Sequence, residues 1–260
     1  MSIVRRRPAA ASLLAQTIGD ARAEPLARAV FWPDALTAAS TARIDRGSLA
    51  WTLALLLLED LSRRVPLAAA YLAECVAAGR AFVFDHGAVR TIAGASRAQL
   101  PSGRRAITRV LEALGYREAA RYPLPGIGMT GYAYTHVDHP EDIPQYFVSE
   151  LHPERFSPRF ADCVEAIFET SRDPLTAETV RDLHALENTG ELDGASAQKL
   201  LPQLVSCFAR HHREASVREY QVLLAESAEM AWIATEGQAF NHITDRVEGI
   251  EEVTARQRGL

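Results

Sequence analysis

The chain has 260 residues, 48% of them apolar and 23% charged, with a net charge of −5. That length allows one or two domains, and the composition is that of an ordinary globular protein. The acidic balance and the 7% aromatic content argue against a basic, base-stacking nucleic-acid binder.

Arg5-Arg6-Arg7, followed by Pro8 and three alanines, opens in the manner of a signal peptide. Gln16, Thr17, Gly19 and Asp20 then interrupt the apolar stretch before an h-region forms. The charge-free window 47–58 is far shorter than the roughly 20 residues of a membrane span. Cys75, Cys163 and Cys207 have separations that match no zinc or disulfide framework. Together these features predict a soluble, cytoplasmic protein in a reducing compartment.

Residues 1–80 read as a helical N-terminal layer. Segments 9–31 and 34–44 are alanine-rich with few β-branched residues, which favours helix. Segment 47–64 is apolar on nearly all faces, as a buried helix is. Pro66 starts the next helix and Gly79 ends it. The texture then changes. Residues 81–92 alternate and are rich in Phe, Val and Ile, so they predict a strand. A loop over 94–103 leads to an amphipathic helix over 104–114, closed by Gly115. Three strands follow, over 116–122, 130–137 and 143–151. Residues 81–151 therefore spell β-α-β-β-β.

Residues 152–232 return to helix, with segments over 158–170, 175–186 (Thr176 as N-cap), 196–211 and 216–232. This helical insertion is expected to pack on the sheet or on the N-terminal layer. At 233 a strand begins again and runs to 247, and 248–258 starts a helix. Residues 233–260 thus open a second module, β-α, whose remaining strands do not follow. The expectation is an incomplete module with unpaired strand edges. The expected readings are a natural truncation, a fragment, or completion by a partner chain, with a homo-oligomer as one form of the last.

The two strands that open these modules carry the same pattern. Residues 84–90 read Phe-Asp-His-Gly-Ala-Val-Arg, and residues 240–246 read Phe-Asn-His-Ile-Thr-Asp-Arg. Strand periodicity puts offsets 0, 2 and 6 on one face, so Phe, His and Arg are expected to share a side. Two such strands offer two imidazoles and two guanidiniums, which suits an anion held on a metal. On the residues alone, two ordinary buried strands that match by chance fit equally well.

The tandem arrangement resembles the vicinal-oxygen-chelate, or glyoxalase-like, fold. More narrowly, three stretches resemble the family first described as domain of unknown function 1338, the 2-oxoadipate dioxygenase/decarboxylases. They are 85–90 (DHGAVR), 146–151 (YFVSEL) and 231–247 (AWIATEGQAFNHITDRV), the last being the most specific. The resemblance covers about residues 45–260. It implies an α+β fold built on a cupped mixed sheet of βαβββ modules, with helical N-terminal and inserted segments. It also implies a non-haem Fe(II) held by His86, His242 and a carboxylate, with Arg90 holding the distal carboxylate of the substrate. The family's carboxylate ligand has no counterpart here; Glu236 and Glu251 lie nearby without a motif to promote them. The implied activity is oxidative decarboxylation of a 2-oxo acid such as 2-oxoadipate by O₂, giving a 2-hydroxy acid and CO₂. The alternatives are a catalytically silent or truncated relative that binds a carboxylate or a partner chain, and another glyoxalase-like metalloenzyme.

Other residues suit simpler roles. Arg246 is expected to be structural, paired with Asp245 or Glu248. His136 and His139, with Asp138 between them, fit a solvated turn better than a metal site. His211-His212 suits a helix C-terminus. His152 and His184 have no evident partner. Ser149 and Glu150 sit in a family-like segment as pocket lining or as ordinary strand. Gly126-x-Gly128-x-x-Gly131 spells a dinucleotide fingerprint but leads into a strand, so it is discarded.

Overall fold

The computed structural model describes residues 7–37, 42–94 and 99–259. Parts of the expected 34–44 helix and 94–103 loop, and Arg5 and Arg6, lie outside these residues. Among the described residues no helix is long and apolar enough to cross a membrane.

The N-terminal layer is α1 (Ala9–Ile18), α2 (Asp20–Ala29), α3 (Arg46–Arg64) and α4 (Pro66–Ala77). Segment 9–31 was expected as one helix; it is two, because Gly19 takes φ +81° and turns the chain between them. The expected 34–44 helix is instead a short 3-10 turn, Asp34–Leu36, and then strand β1 (Arg43–Asp45). Tertiary pairing overrides propensity here: β1 pairs antiparallel with β6 (Glu191–Asp193), which the sequence had not signalled. Asp45 ends β1 and caps α3, its carboxylate accepting from Ser48 N. From Gly47 to Leu58 every residue of α3 is buried, as its all-round apolarity requires.

The β-α-β-β-β reading of 81–151 is observed as β2 (Phe84–Ile92), α5 (Arg105–Ala113), β3 (Tyr116–Leu124), β4 (Met129–His136) and β5 (Gln145–Leu151). These strands form a five-stranded mixed sheet with β7 (His242–Asp245), in the order β3-β4-β5-β2-β7. β2 runs parallel to β5, and the other neighbours are antiparallel. The architecture is α+β.

The inserted helices are α6 (Pro158–Phe168), α7 (Ala177–Thr189), α8 (Gly194–Ser206), α9 (Val217–Leu224) and α10 (Ala228–Glu236); α11 (Ile250–Arg258) follows β7. Thr176 caps α7 as its sequence predicts. The single helix expected over 216–232 is two, since Ser227 is extended and its hydroxyl accepts from Met230 N to start α10. The expected strand over 233–247 is mostly something else. Residues 233–236 finish α10, Gly237 turns the chain at φ +67° against Arg210, and only four residues are strand.

The sheet has two different faces. Val89, Tyr146, Val148, Tyr132 and Tyr134 point into the core shared with α1, α3 and α8. The opposite face carries His86, Ala88 and Arg90 of β2, in register with Gln145, Phe147 and Ser149 of β5. Next along it, Phe147 and Ser149 meet Ala133 and Gly131. Small side chains keep this face shallow. At one end, Ile92, Met129 and Leu151 pack against α6, α9 and α10, which close it.

Candidate functional site

The open sheet face brings together three of the residues singled out from sequence. His86 lies inside β2 and His242 begins β7, opposite Ala88. The two imidazole rings are 5.6 Å apart, centre to centre, and inclined by 36°. Arg90 is on the same face of β2, two residues beyond Ala88. His242 thus stands midway between His86 and Arg90, which are about 13 Å apart along the strand at ~3.3 Å per residue.

The expectation that Phe shares this face is corrected. The β2–β7 register shifts between Phe84 and His86. Phe84 turns to the core side, where its ring meets those of Phe82 and Phe240. Phe240 lies across Gly87; a Cβ on Gly87 would come within 1.9 Å of its ring. The absence of a side chain at residue 87 is what lets the second motif approach the first. In the second copy the strand ends at Asp245, so Arg246 leaves the sheet and does not share the His242 face.

Arg246 is paired, as expected, but with a different partner. Its Nε donates to Asp85 Oδ1 at 2.8 Å and its Nη1 to Glu141 O. Asp245 instead accepts from Arg80 and Tyr71 and from Val83 N. Asp85 Oδ2 lies 3.0 Å from His86 Nδ1, and Thr244 Oγ1 lies 2.7 Å from the same nitrogen. Partial burial pushes the Asp85 carboxyl upward, but hydrogen bonds from His86 and Arg246 outweigh it and hold Asp85 below the usual carboxylate range. His242 is exposed by area, yet crowding at the sheet surface desolvates it. With the charges of His86 and Arg90, that lowers its pKa and favours a neutral imidazole.

Arg90 is half-buried and, among the described residues, has no carboxylate within ion-pair distance. Burial lowers its pKa, opposed by the charge of Glu229, and the guanidinium remains a cation. Its Cζ lies 4.9 Å from the ring centre of Trp232, on α10. A half-buried guanidinium that lies against an indole and lacks a carboxylate partner among the described residues is chemically able to take an anion. The sequence offered no role for Trp232; the signal was its place in the 231–247 stretch. Thr244 could have been found from the antiparallel register, which sets it opposite His86.

Two imidazoles this close together are near enough to serve one metal ion. Neutral imidazoles are the right donors for iron, zinc or copper. Among the described residues, however, no group of three or more His, Cys, Asp and Glu side chains gathers to hold a metal. Glu236 and Glu251 are both exposed. Among the described residues, the open face offers two imidazoles and no carboxylate grouped with them as a third metal-binding side chain.

The remaining candidates take other roles. His136 is buried, not solvated: its Nδ1 accepts from Asp138 N and His139 N, and burial lowers it to about 4. His211 Nε2 is bonded to Ser206 O and His212 Nε2 to Ala234 O. His152 does have partners, Thr130 and Glu154. Ser149 is level with Arg90 on the open face. Glu150 points the other way and accepts from Arg104 N. Residues 125–127 form a 3-10 turn into β4, which disposes of the dinucleotide motif.

The family model of 2-oxoadipate dioxygenase/decarboxylase matches residues 57–259. The chain belongs to that family. No curated protein matches it significantly. Among solved structures, it is similar to a glyoxalase superfamily protein from Ralstonia eutropha JMP134, with 43% identity and a TM-score of 0.93 over 96% of this chain and 78% of that one. It shares the fold of hydroxyglutarate synthase from Oryza sativa, solved in complex with 2-oxoadipate, at 18% identity and TM-score 0.59. It also shares the fold of a Shigella flexneri protein that includes domain of unknown function 1338, at 17% identity and TM-score 0.66. It covers 89% and 83% of its own length against these two, and spans 66% and 62% of theirs. The glyoxalase-like α+β fold expected from the motifs is the fold found.

Proposed function

We propose that the chain carries an Fe(II) site for the oxidative decarboxylation by O₂ of a 2-oxo dicarboxylate, 2-oxoadipate or a close analogue, yielding a 2-hydroxy acid and CO₂. The observation that carries this reading is the grouping of His86, His242 and the unpaired Arg90 on one open sheet face. Family membership supports it, as does the 2-oxoadipate bound in the rice relative.

In this reading His86 and His242 would hold the metal, and bound iron would supply O₂ activation and a Lewis acid for the 2-oxo acid. The protein's own residues do the positioning. Arg90 takes the distal carboxylate in a two-pronged hydrogen bond. Trp232 holds the guanidinium plane, and Ser149 offers a hydroxyl beside it. His242, neutral through desolvation and the nearby positive charges, keeps a lone pair for the metal. Helices α6, α9 and α10 close one end of the face and limit water there.

The test is iron content and O₂ uptake with 2-oxoadipate, for wild type beside His86→Ala and His242→Ala. Iron near one per chain, with CO₂ release lost in both variants, supports the proposal. If wild type binds no metal and turns over no better than the variants, the reading fails in favour of a silent carboxylate-binding relative. Activity with zinc or manganese and no O₂ uptake would point to another glyoxalase-like metalloenzyme.

A further inference from the structure

The two motif copies do more than sit side by side: side chains of the second grip the histidine strand of the first. Thr244 of the second copy touches His86 of the first, and Arg246 of the second holds Asp85 of the first. His86 Nδ1 therefore faces two oxygens, Asp85 Oδ2 at 3.0 Å and Thr244 Oγ1 at 2.7 Å. A carboxylate only accepts hydrogen bonds, whereas a hydroxyl both donates and accepts. An unprotonated Nδ1 would set lone pair against lone pair at Asp85. The arrangement is satisfied when Nδ1 carries the proton, with both oxygens as acceptors.

We infer that Asp85 is a positioning residue: with Thr244 beside it and Arg246 behind it, it fixes His86 in the Nδ1–H tautomer and leaves Nε2 free as a ligand atom. The inference deepens the metal-site reading and rests on it for its purpose. Arg246 acts at one remove, since its Nε and Nη1 bond to Asp85 and Glu141 O and set the carboxylate's orientation. The logic is that of a carboxylate backing a metal-bound imidazole, which fixes the ring and raises its basicity. Among the described residues no side chain gives His242 such support, so the two imidazoles are unequal: one locked and one adjustable.

The experiment records imidazole ¹⁵N resonances of the metal-free full chain near pH 8, then titrates the same protein with Co(II) alone. Wild type is compared with Asp85→Ala, Asp85→Asn and Thr244→Val. Expected in wild type is a His86 proton on Nδ1 and a bare Nε2. Asp85→Ala should lose that bias and weaken Co(II) binding by about 10- to 100-fold. Asp85→Asn, which keeps an acceptor oxygen, should retain part of both, and Thr244→Val should shift them less. A merely structural Asp85 would lower stability without moving the tautomer. If Asp85→Ala does not fold, the Asn and Val variants decide. A wild-type proton on Nε2, or variants with unchanged tautomer and affinity, would overturn the inference. The correct tautomer in a wild type that binds no Co(II) would uphold the positioning and defeat the metal reading instead.

Discussion

Residues 84–90 and 240–246 share Phe, His and Arg at the same three offsets, with Asp or Asn at a fourth, and are used differently. The first copy lies in a nine-residue interior strand, paired on both sides. The second is a four-residue strand at the sheet edge. Arg90 stays on the open face with an indole against it, whereas Arg246 turns back to hold Asp85. At offset 3, Gly87 makes room for the Phe240 ring, and Ile243 is partly buried against the core. A shared pattern fixes which residue types are available. Strand length and neighbours decide which of them can meet a ligand.

The largest effect expected from breaking this asymmetry is at Arg90. Arg90→Ala should cut kcat/KM for a dicarboxylic 2-oxo acid by about two to three orders of magnitude, the scale of losing a charged partner in a partly buried pair. A monocarboxylic analogue should lose little, because it has no distal carboxylate. Equal losses with both substrates would mean that Arg90 only supports the strand. Trp232→Ala should raise KM for the dicarboxylate by roughly 3- to 30-fold, from loss of about 0.5–2 kcal/mol of cation–π contact. Steady-state kinetics on the two substrates separates these cases.

Next in size is the fit between the copies. Gly87→Ala would place a Cβ 1.9 Å from the Phe240 ring, which is itself fully buried among Phe84, Tyr146 and Phe208. The ring has nowhere to go. The expected cost is about 1–3 kcal/mol of stability in chemical denaturation. Loosening the second copy should also weaken Co(II) binding, since His242 follows Phe240 by two residues. A Gly87→Ala protein as stable as wild type would show that the copies are held by their side-chain clamps alone.

Much of the fold was legible because its signals are local. The strand–helix–strand–strand–strand order of 81–151 follows from alternation, an amphipathic helix and Gly115. Among the inserted helices, α7 follows from its Thr176 cap. What could not be read depends on contacts distant in sequence. β1 is a strand because β6 lies beside it, and Ser227 breaks a helix that the apolar spacing from Val217 to Ala228 appeared to continue. The grouping of His86, His242 and Arg90 in the candidate site was partly legible, since strand periodicity gives His86 and Arg90 one face. The misplacement of Phe84 traces to one irregularity at Asp85, which a period of two cannot anticipate. The true partners of Arg246 and Asp245 required the β2–β7 register.

The site histidines can also be set against those inside the protein. Burial lowers His136 and His212 to about 4 from an ordinary 6.5, so both are neutral in the folded chain. A lowered folded pKa means that the unfolded chain binds more protons between those values. Their contribution to stability is therefore present above about pH 6.5 and is lost as the pH falls toward 4. The melting temperature should drop across that window. His136→Asn keeps an acceptor for the amides of Asp138 and His139 but does not titrate, so its slope should be shallower. An unchanged slope would assign the acid sensitivity elsewhere.

The smallest effect expected is at the arginine the pattern makes look equivalent to Arg90. Arg246 and Asp85 are both partly exposed, so their ion pair contributes little to stability. Arg246→Ala should cost about 0.2–1 kcal/mol in denaturation and leave the KM for the dicarboxylate near that of wild type. Thr244 still reaches His86, and Asp85 still lies against Nδ1, so Co(II) affinity should fall far less than in Asp85→Ala. If Arg246→Ala instead raised the KM as steeply as Arg90→Ala, both guanidiniums would be meeting substrate. The second copy would then have to leave the conformation in which Arg246 bonds to Asp85, and the asymmetry between the copies would belong to the resting protein alone.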